Sequence, residues 1–303
     1  MIDRRTFLAS SIGLGTAVFN IAKGSSIKLD DKNRVPVRVM ATKWGNSDPI
    51  ENFCQKIKEV GYDGLEDWLP SNEEDRFRLI QACEKYQLKF GLLVGSSEPE
   101  YDKHINQFTK NLREAVKYKP LYINCHSGKD YFSFEQNLKF FEITNATSKQ
   151  SNIPIYHETH RSRILFAAPV ARNYMEHTTG FEITLDISHW CNVHESFLQD
   201  QQPTVQMALK RTGHIHARIG HPQGPQVNDP RAPEWKGALE QYLKWWDDAV
   251  NYKQQNSGEP MTFLTEFGPV DYMPALPYSR EPIADQWEIN VFMLNLLKDR
   301  YNS

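Results

Sequence analysis

Four segments of the chain carry side chains able to move a proton or bind a cation. They are His157-Glu158-Thr159-His160, Asp186-Ile187-Ser188-His189, His214-Ile215-His216-Ala217-Arg218 and Thr265-Glu266-Phe267. Each sits at the end of a short apolar or alternating run, where successive side chains of a strand point to opposite faces. With Glu158 inward, Tyr156 and His160 share its face and His157 points out. Asp186 takes Thr184 and Ser188 with it, His216 takes His214 and Arg218, and Glu266 lies between outward Thr265 and Phe267. Three carboxylates brought to one point repel one another unless a cation neutralises them. One divalent metal held by Glu158, Asp186, His216 and Glu266 answers that need. Three oxygen donors and an imidazole suit Mn²⁺, Mg²⁺, Co²⁺ or Fe²⁺, with Zn²⁺ also able to bind, and leave positions for two substrate oxygens. We take Mn²⁺ as the working expectation. Such an ion polarises a carbonyl and acidifies the adjacent C–H, so that a carboxylate removes the proton and a cis-enediolate forms.

Positioning these groups takes a particular architecture. Eight strands are predicted at residues 35–42, 64–68, 89–94, 121–126, 154–160, 182–188, 214–219 and 262–267, about 30 residues apart. Helical periodicity fills the intervals, at 49–60, 73–86, 101–118, 133–150 and 235–255. Strand and helix alternating eight times predicts an α/β protein, a closed parallel (β/α)₈ TIM barrel, because parallel strands need helical crossovers on the outside. A doubly wound open sheet is the alternative, but no G-x-G-x-x-G or Walker loop follows the first strand. Active residues of such barrels lie at the C-terminal ends of the strands. Glu66, His126 and His160 are therefore candidate substrate contacts, and Trp44, Trp68 and Trp190 candidate stacking surfaces for a ring. His214, one pleat below His216, reads as a supporting histidine. The widest gap is predicted after strand seven, where the proline-rich stretch 221–233 reads as a lid or substrate-binding loop.

The bulk composition fits one domain: 303 residues, 40% apolar, exceed the roughly 250 of a typical barrel. A formal charge of −3, from 35 basic and 38 acidic residues, gives no basic footprint for nucleic acid. Cys54, Cys83, Cys125 and Cys191 are widely spaced and read mainly as buried thiols, with a disulfide left open. Residues 1–34 differ from the rest. Asp3-Arg4-Arg5-Thr6-Phe7-Leu8 precedes an uncharged apolar run to Ile21 and a polar connector, which reads as a twin-arginine export signal and a periplasmic address. That run is short for a membrane span, and no later segment could make one. If the signal reading fails, the address is cytoplasmic. The barrel domain is then 35–303.

The four motifs resemble those of the xylose isomerase-like superfamily, and most closely its ketose 3-epimerases such as tagatose and psicose 3-epimerases. The resemblance runs over roughly residues 35–300 and is strongest from strand five onward. It implies that Glu158, Asp186, His216 and Glu266 bind the metal and that Glu158 and Glu266 double as acid/base groups across the substrate plane. It implies also that His189, three residues after the strand-six aspartate, and a basic residue after the strand-seven histidine, for which Arg218 stands here, contact substrate. The segment 216–223 and its proline-rich continuation depart from those epimerases, which bears on the substrate more than on the metal. No phosphate-cradling glycine turn is evident, so an unphosphorylated sugar or keto-sugar derivative is the expected substrate. A group leaving β to the carbonyl would make the same chemistry a lyase or dehydratase. Two rivals remain: an endonuclease IV-like nuclease, which needs more metal-binding histidines and a basic face, and a non-catalytic metal-containing carbohydrate-binding protein. A homo-oligomer is left open.

Overall fold

A computed structural model describes residues 36–302. The proposed export signal and the domain boundary at 34/35 lie outside the described residues. The strands are β1 (Arg38–Thr42), β2 (Gly64–Trp68), β3 (Lys89–Gly95), β4 (Tyr122–His126), β5 (Ile155–Glu158), β6 (Glu182–Leu185), β7 (Thr212–His216) and β8 (Thr262–Thr265). They close in sequence order into a parallel barrel, with β8 paired to β1. The (β/α)₈ expectation is met. Among the described residues the helices are α1 (Ile50–Val60), α2 (Glu73–Lys85), α3 (Tyr101–Val116), α4 (Phe134–Ser151), α5 (Ala168–His177), α6 (Ile187–Val193), α7 (Gln202–Lys210), α8 (Lys236–Asn256) and α9 (Gln286–Tyr301). None is long and apolar enough to cross a membrane.

The apolar mass lies between strands and helices, where outward residues such as Val39, Leu65, Ile123, Ile183, Ile215 and Phe263 meet the helix faces. The lumen holds a separate, smaller plug of Met40, Tyr122, Tyr156 and Leu264. Two of its rings fit because a glycine faces them. A Cβ on Gly91 would stand 2.4 Å from Tyr122 Cζ, and one on Gly213 would stand 2.1 Å from Tyr156 Cε1. This plug fills the barrel from below and leaves its upper lumen to polar groups. All four cysteines are free and buried.

Three expectations need correction. The sixth strand stops at Leu185 instead of running to Ser188, because the Asp186 carboxylate accepts the Ser188 N–H at 3.1 Å and starts α6 at once. Trp190 therefore lies on that helix, fully buried, with its indole N–H on the Leu165 carbonyl, so it is a packing residue and not a mouth residue. The longest stretch between strand and helix follows β8, residues 266–285, not β7. The 221–233 loop is fastened down instead: Gln226 is buried and its side-chain amide both accepts from Gly268 N and donates to Gly268 O.

Candidate metal centre

The donor groups arrive from separate strand ends. Glu158 closes β5, Asp186 follows β6, His216 closes β7 and Glu266 follows β8. Parallel registry at the top of the barrel brings them together. Donor atoms of Glu158, Asp186 and His216 lie within 4.8 Å of one another, and Glu266 Oε2 stands 2.8 Å from His216 Nδ1. All four are buried or nearly so, the Glu266 side chain being 13% exposed.

The supports of each group decide which atoms are free. His216 Nε2 faces Glu66 Oε1 at 3.4 Å, and the ring is thereby oriented with Nδ1 toward the glutamates. His214 sits below, its Nδ1 on Thr262 and its Nε2 3.3 Å from Glu66 Oε2. Glu158 commits Oε2 to Asn124 Nδ2 and His126 Nε2, both at 2.9 Å. Among the four proposed ligands, three buried atoms then have no hydrogen-bond partner: Glu158 Oε1, His216 Nδ1 and Glu266 Oε2. His216 Nδ1 is 2.8 Å from Glu266 Oε2 and 3.6 Å from Glu158 Oε1, without hydrogen-bond geometry. Donors bound about 2.1 Å from one ion at right angles stand about 3.0 Å apart, so this spacing fits a coordination face. Burial alone would lower the pKa of His216, but Glu266, Glu158 and Glu66 raise it well above the ordinary value. The cluster therefore calls for positive charge at this point. The residues fit a divalent ion.

Arg218 supplies part of that charge. The backbone turns just after β7, with Arg218 N–H on the His216 carbonyl, and the side chain enters the lumen, 1% exposed. Its Nη2 donates to Asp186 Oδ2 and lies 3.4 Å from Glu266 Oε2. Burial opposes its charge, but Asp186 and Glu266 hold its pKa above the usual range. Tyr272 covers the guanidinium, ring centroid 4.7 Å from Cζ. Asp186 thus differs from the other three proposed ligands, since its oxygens already serve Ser188 and Arg218.

Above the donors lies a cavity of about 190 Å³. Of the residues expected from sequence, Trp44, Glu66, Trp68, His126, His160, Arg218 and Glu266 line it. Glu158, Asp186 and His216 lie beneath. His189 is fully buried under His160, ring centroids 4.0 Å apart, and does not line the cavity. His157 faces out of the barrel onto Phe141, as alternation required. Trp44 reaches over the mouth because Gly268 leaves room, a Cβ there lying 2.2 Å from the indole.

Sequence reasoning missed Tyr272 and Arg161, which lie ring to guanidinium at 5.0 Å, and it gave Asn124 no role. Asn124 stood at an expected strand end with the right parity and was legible. Tyr272 lies in the long irregular segment after β8 and carried no periodic signal.

No protein-family model matches the sequence, and no curated protein matches it. Solved structures share the fold. A D-tagatose 3-epimerase-like protein matches with a TM-score of 0.60 at 11% identity, over 88% of this chain and 98% of that one. The apo 3-keto-D-glucoside 4-epimerase YcjR of E. coli matches at 0.58 and 13%, over 87% and 99%. The probable 3-DHS dehydratase AsbF of Bacillus anthracis matches at 0.55 and 14%, over 86% and 98%. At such identities the likeness is one of fold, and the fold serves more than one chemistry.

Proposed function

We propose that this protein is a divalent-metal-dependent sugar isomerase or epimerase acting on an unphosphorylated sugar or keto-sugar derivative. The observation that carries this reading is the set of donor atoms left without a hydrogen bond, Glu158 Oε1, His216 Nδ1 and Glu266 Oε2, beneath a small cavity walled by Trp44, Trp68 and Tyr272. A bound divalent ion supplies Lewis acidity toward a carbonyl and its neighbouring hydroxyl, together with the charge that the carboxylates require. Glu266 reaches the cavity wall and accepts the proton from the carbon beside the carbonyl. Glu158, held by Asn124 and His126, acts from below as ligand and as the second acid/base group. The half-exposed indoles of Trp44 and Trp68 offer flat apolar faces to a sugar ring. His160 is kept neutral, its pKa pushed down to about 3 by burial and by His126; its Nδ1–H is spent on the Arg161 carbonyl, so its Nε2 can accept from a hydroxyl. We also propose that residues 1–34 direct export of the folded enzyme.

One observation favours a second reading, a lyase or dehydratase. Only one of the two glutamates lines the cavity, and elimination needs one base where epimerisation uses two faces. Incubation with keto-sugars and oxidised glycosides in D₂O, followed by NMR and metal analysis, separates the readings. The expected result is deuterium at the carbon beside the carbonyl, about one divalent ion per chain, and loss of exchange with a chelator. An unsaturated product would move the protein to the lyase class. Exchange that persists in metal-free protein would overturn both, and binding without any exchange would leave a carbohydrate-binding protein.

A further inference from the structure

A second cavity, of about 290 Å³, adjoins the first and shares Trp68 and Leu93 with it. It lies over the ends of β2 and β3, against α3, and is lined also by Ser96, Asn111 and Arg163. Two of the neutral polar groups there are committed. Ser96 Oγ donates to Gln107 Oε1 at 2.6 Å, and Asn111 Nδ2 donates to the Gly95 carbonyl at 2.9 Å. Arg163 is different: its Nε and Nη1 are buried and have no hydrogen-bond partner, and no carboxylate pairs with it within 4 Å among the described residues. Its backbone is fixed by a turn, Arg163 N–H to the His160 carbonyl at 3.2 Å, so the guanidinium is held at the cavity by the same segment that carries His160 to the metal centre. A charged donor left without a hydrogen bond is unfavourable, so an anion that reaches the Arg163 guanidinium relieves that state. Burial lowers the pKa of Arg163, and the Glu158 and Asp130 carboxylates oppose that shift from beyond ion-pair distance.

We infer that this cavity is an oxyanion subsite, in which Arg163 receives a carboxylate, sulfate or phosphate group carried by the substrate. The planar fork of arginine matches such groups with two parallel hydrogen bonds. The inference rests on the sugar reading only for the identity of the rest of the molecule. It makes the substrate a charged sugar derivative lying across Trp68, with its reacting carbon over Glu266 and its anion at Arg163. A uronate satisfies this without phosphorylation.

The test uses the full chain and isothermal titration with inorganic sulfate, inorganic phosphate and D-glucuronate, with D-glucose as the neutral reference. Wild type should bind the anions and prefer glucuronate to glucose. Arg163→Gln should weaken anion binding by about tenfold or more, while Arg172→Gln, at an exposed pair with Glu176 on α5, should not. Should Arg163→Gln fail to fold, competition in the wild type decides: sulfate should displace glucuronate and leave glucose binding unchanged. Anion binding equal in wild type and Arg163→Gln, or no effect of sulfate on glucuronate, overturns the subsite. If Arg163-dependent anion binding is found but no sugar exchanges deuterium, the subsite stands and the isomerase reading falls. Phosphate and a sugar phosphate binding well while glucuronate does not would keep the subsite and reassign its anion.

Discussion

His157 and His216 are both buried, at 1% exposure each, yet they lie on opposite faces of the barrel wall and live in opposite chemistry. His157 sits between β5 and the helices, where hydroxyls satisfy it. Thr144 spends its hydroxyl on the Phe140 carbonyl at 2.9 Å and so accepts from His157 Nε2 at 2.8 Å, while Ser127 donates to Nδ1 at 2.7 Å. Burial pushes its pKa down to about 3, and it stays neutral. His216 faces the lumen, where three glutamates push its pKa well up. The wall separates a face organised by exclusion of water from one organised by charge in want of a counter-charge. Burial sets the stakes on both sides, and the neighbouring atoms decide the sign.

The largest effect should come from Arg218, which holds the lumen's carboxylates together. Arg218→Gln removes the cation from Asp186 and Glu266, and breaking a buried pair by removing one partner costs about 3–5 kcal/mol. Chemical denaturation in the presence of a chelator should show that loss. Added Mn²⁺ should stabilise the variant more than it does wild type, because the two carboxylates then compete for the ion alone. An equal metal response in both proteins would mean that Arg218 and the ion occupy independent places.

The two glutamates sharpen the comparison within the lumen itself. Glu266→Gln keeps an oxygen for the ion but removes the proton acceptor at the cavity wall, so exchange of the substrate C–H should fall at least 10²-fold. Glu158→Gln should slow it comparably in an epimerase that works from two faces, and far less in a one-base isomerase or lyase. If neither substitution slows exchange, the acid/base role passes to His126 or His160 at the same wall.

Alternation of side chains was enough to sort these residues: it sent His157 out and brought Glu158, His216 and Glu266 in, with Asn124 and Glu66 on the same side. Parity is a property of two neighbouring residues and survives errors in strand length. The end of a strand is not. β6 gives way to α6 because of one hydrogen bond donated by Ser188 N–H to the Asp186 carboxylate, and that bond carried Trp190 away from the mouth and His189 under His160. Tyr272 and Arg163 lie in irregular segments where no period operates, and their positions follow from tertiary packing alone.

On the outer face the expected effect is spread over several pH units. His157 has a folded pKa of about 3 against an unfolded value of about 6.5. The unfolded chain therefore takes up a proton between pH 6.5 and 3 that the folded chain refuses. The stability tied to the neutral ring is complete above about pH 6.5 and is lost as pH falls through that window, by about 1.4 kcal/mol per pH unit. His157→Gln should lose stability at neutral pH, through its hydroxyl partners, but should show a shallower decline with acid by that amount. Parallel stability curves for variant and wild type would place the titrating group elsewhere.

The smallest effect should follow removal of residues 1–34. The barrel closes on itself within residues 36–302: Val37 N–H donates to Asn302 Oδ1 at 2.9 Å, Asn302 Nδ2 returns to the Val37 carbonyl at 3.1 Å, and Arg38 N–H reaches the Met261 carbonyl at 2.9 Å. Both ends of the domain are thus tied by bonds that need nothing before residue 36, and segments outside such ties are the ones whose loss a domain tolerates. The truncated chain should unfold within about 0.5 kcal/mol of the full one, the range of changes that touch no buried feature, and should bind metal equally. A drop well beyond that, or insoluble protein, would make the segment part of the fold and remove the basis for reading it as an export signal. Fusion of residues 1–34 to a folded reporter tests the signal directly. Export should occur, and Arg4→Lys together with Arg5→Lys should block it; a reporter retained inside the cell with the native pair would show that these residues serve another purpose.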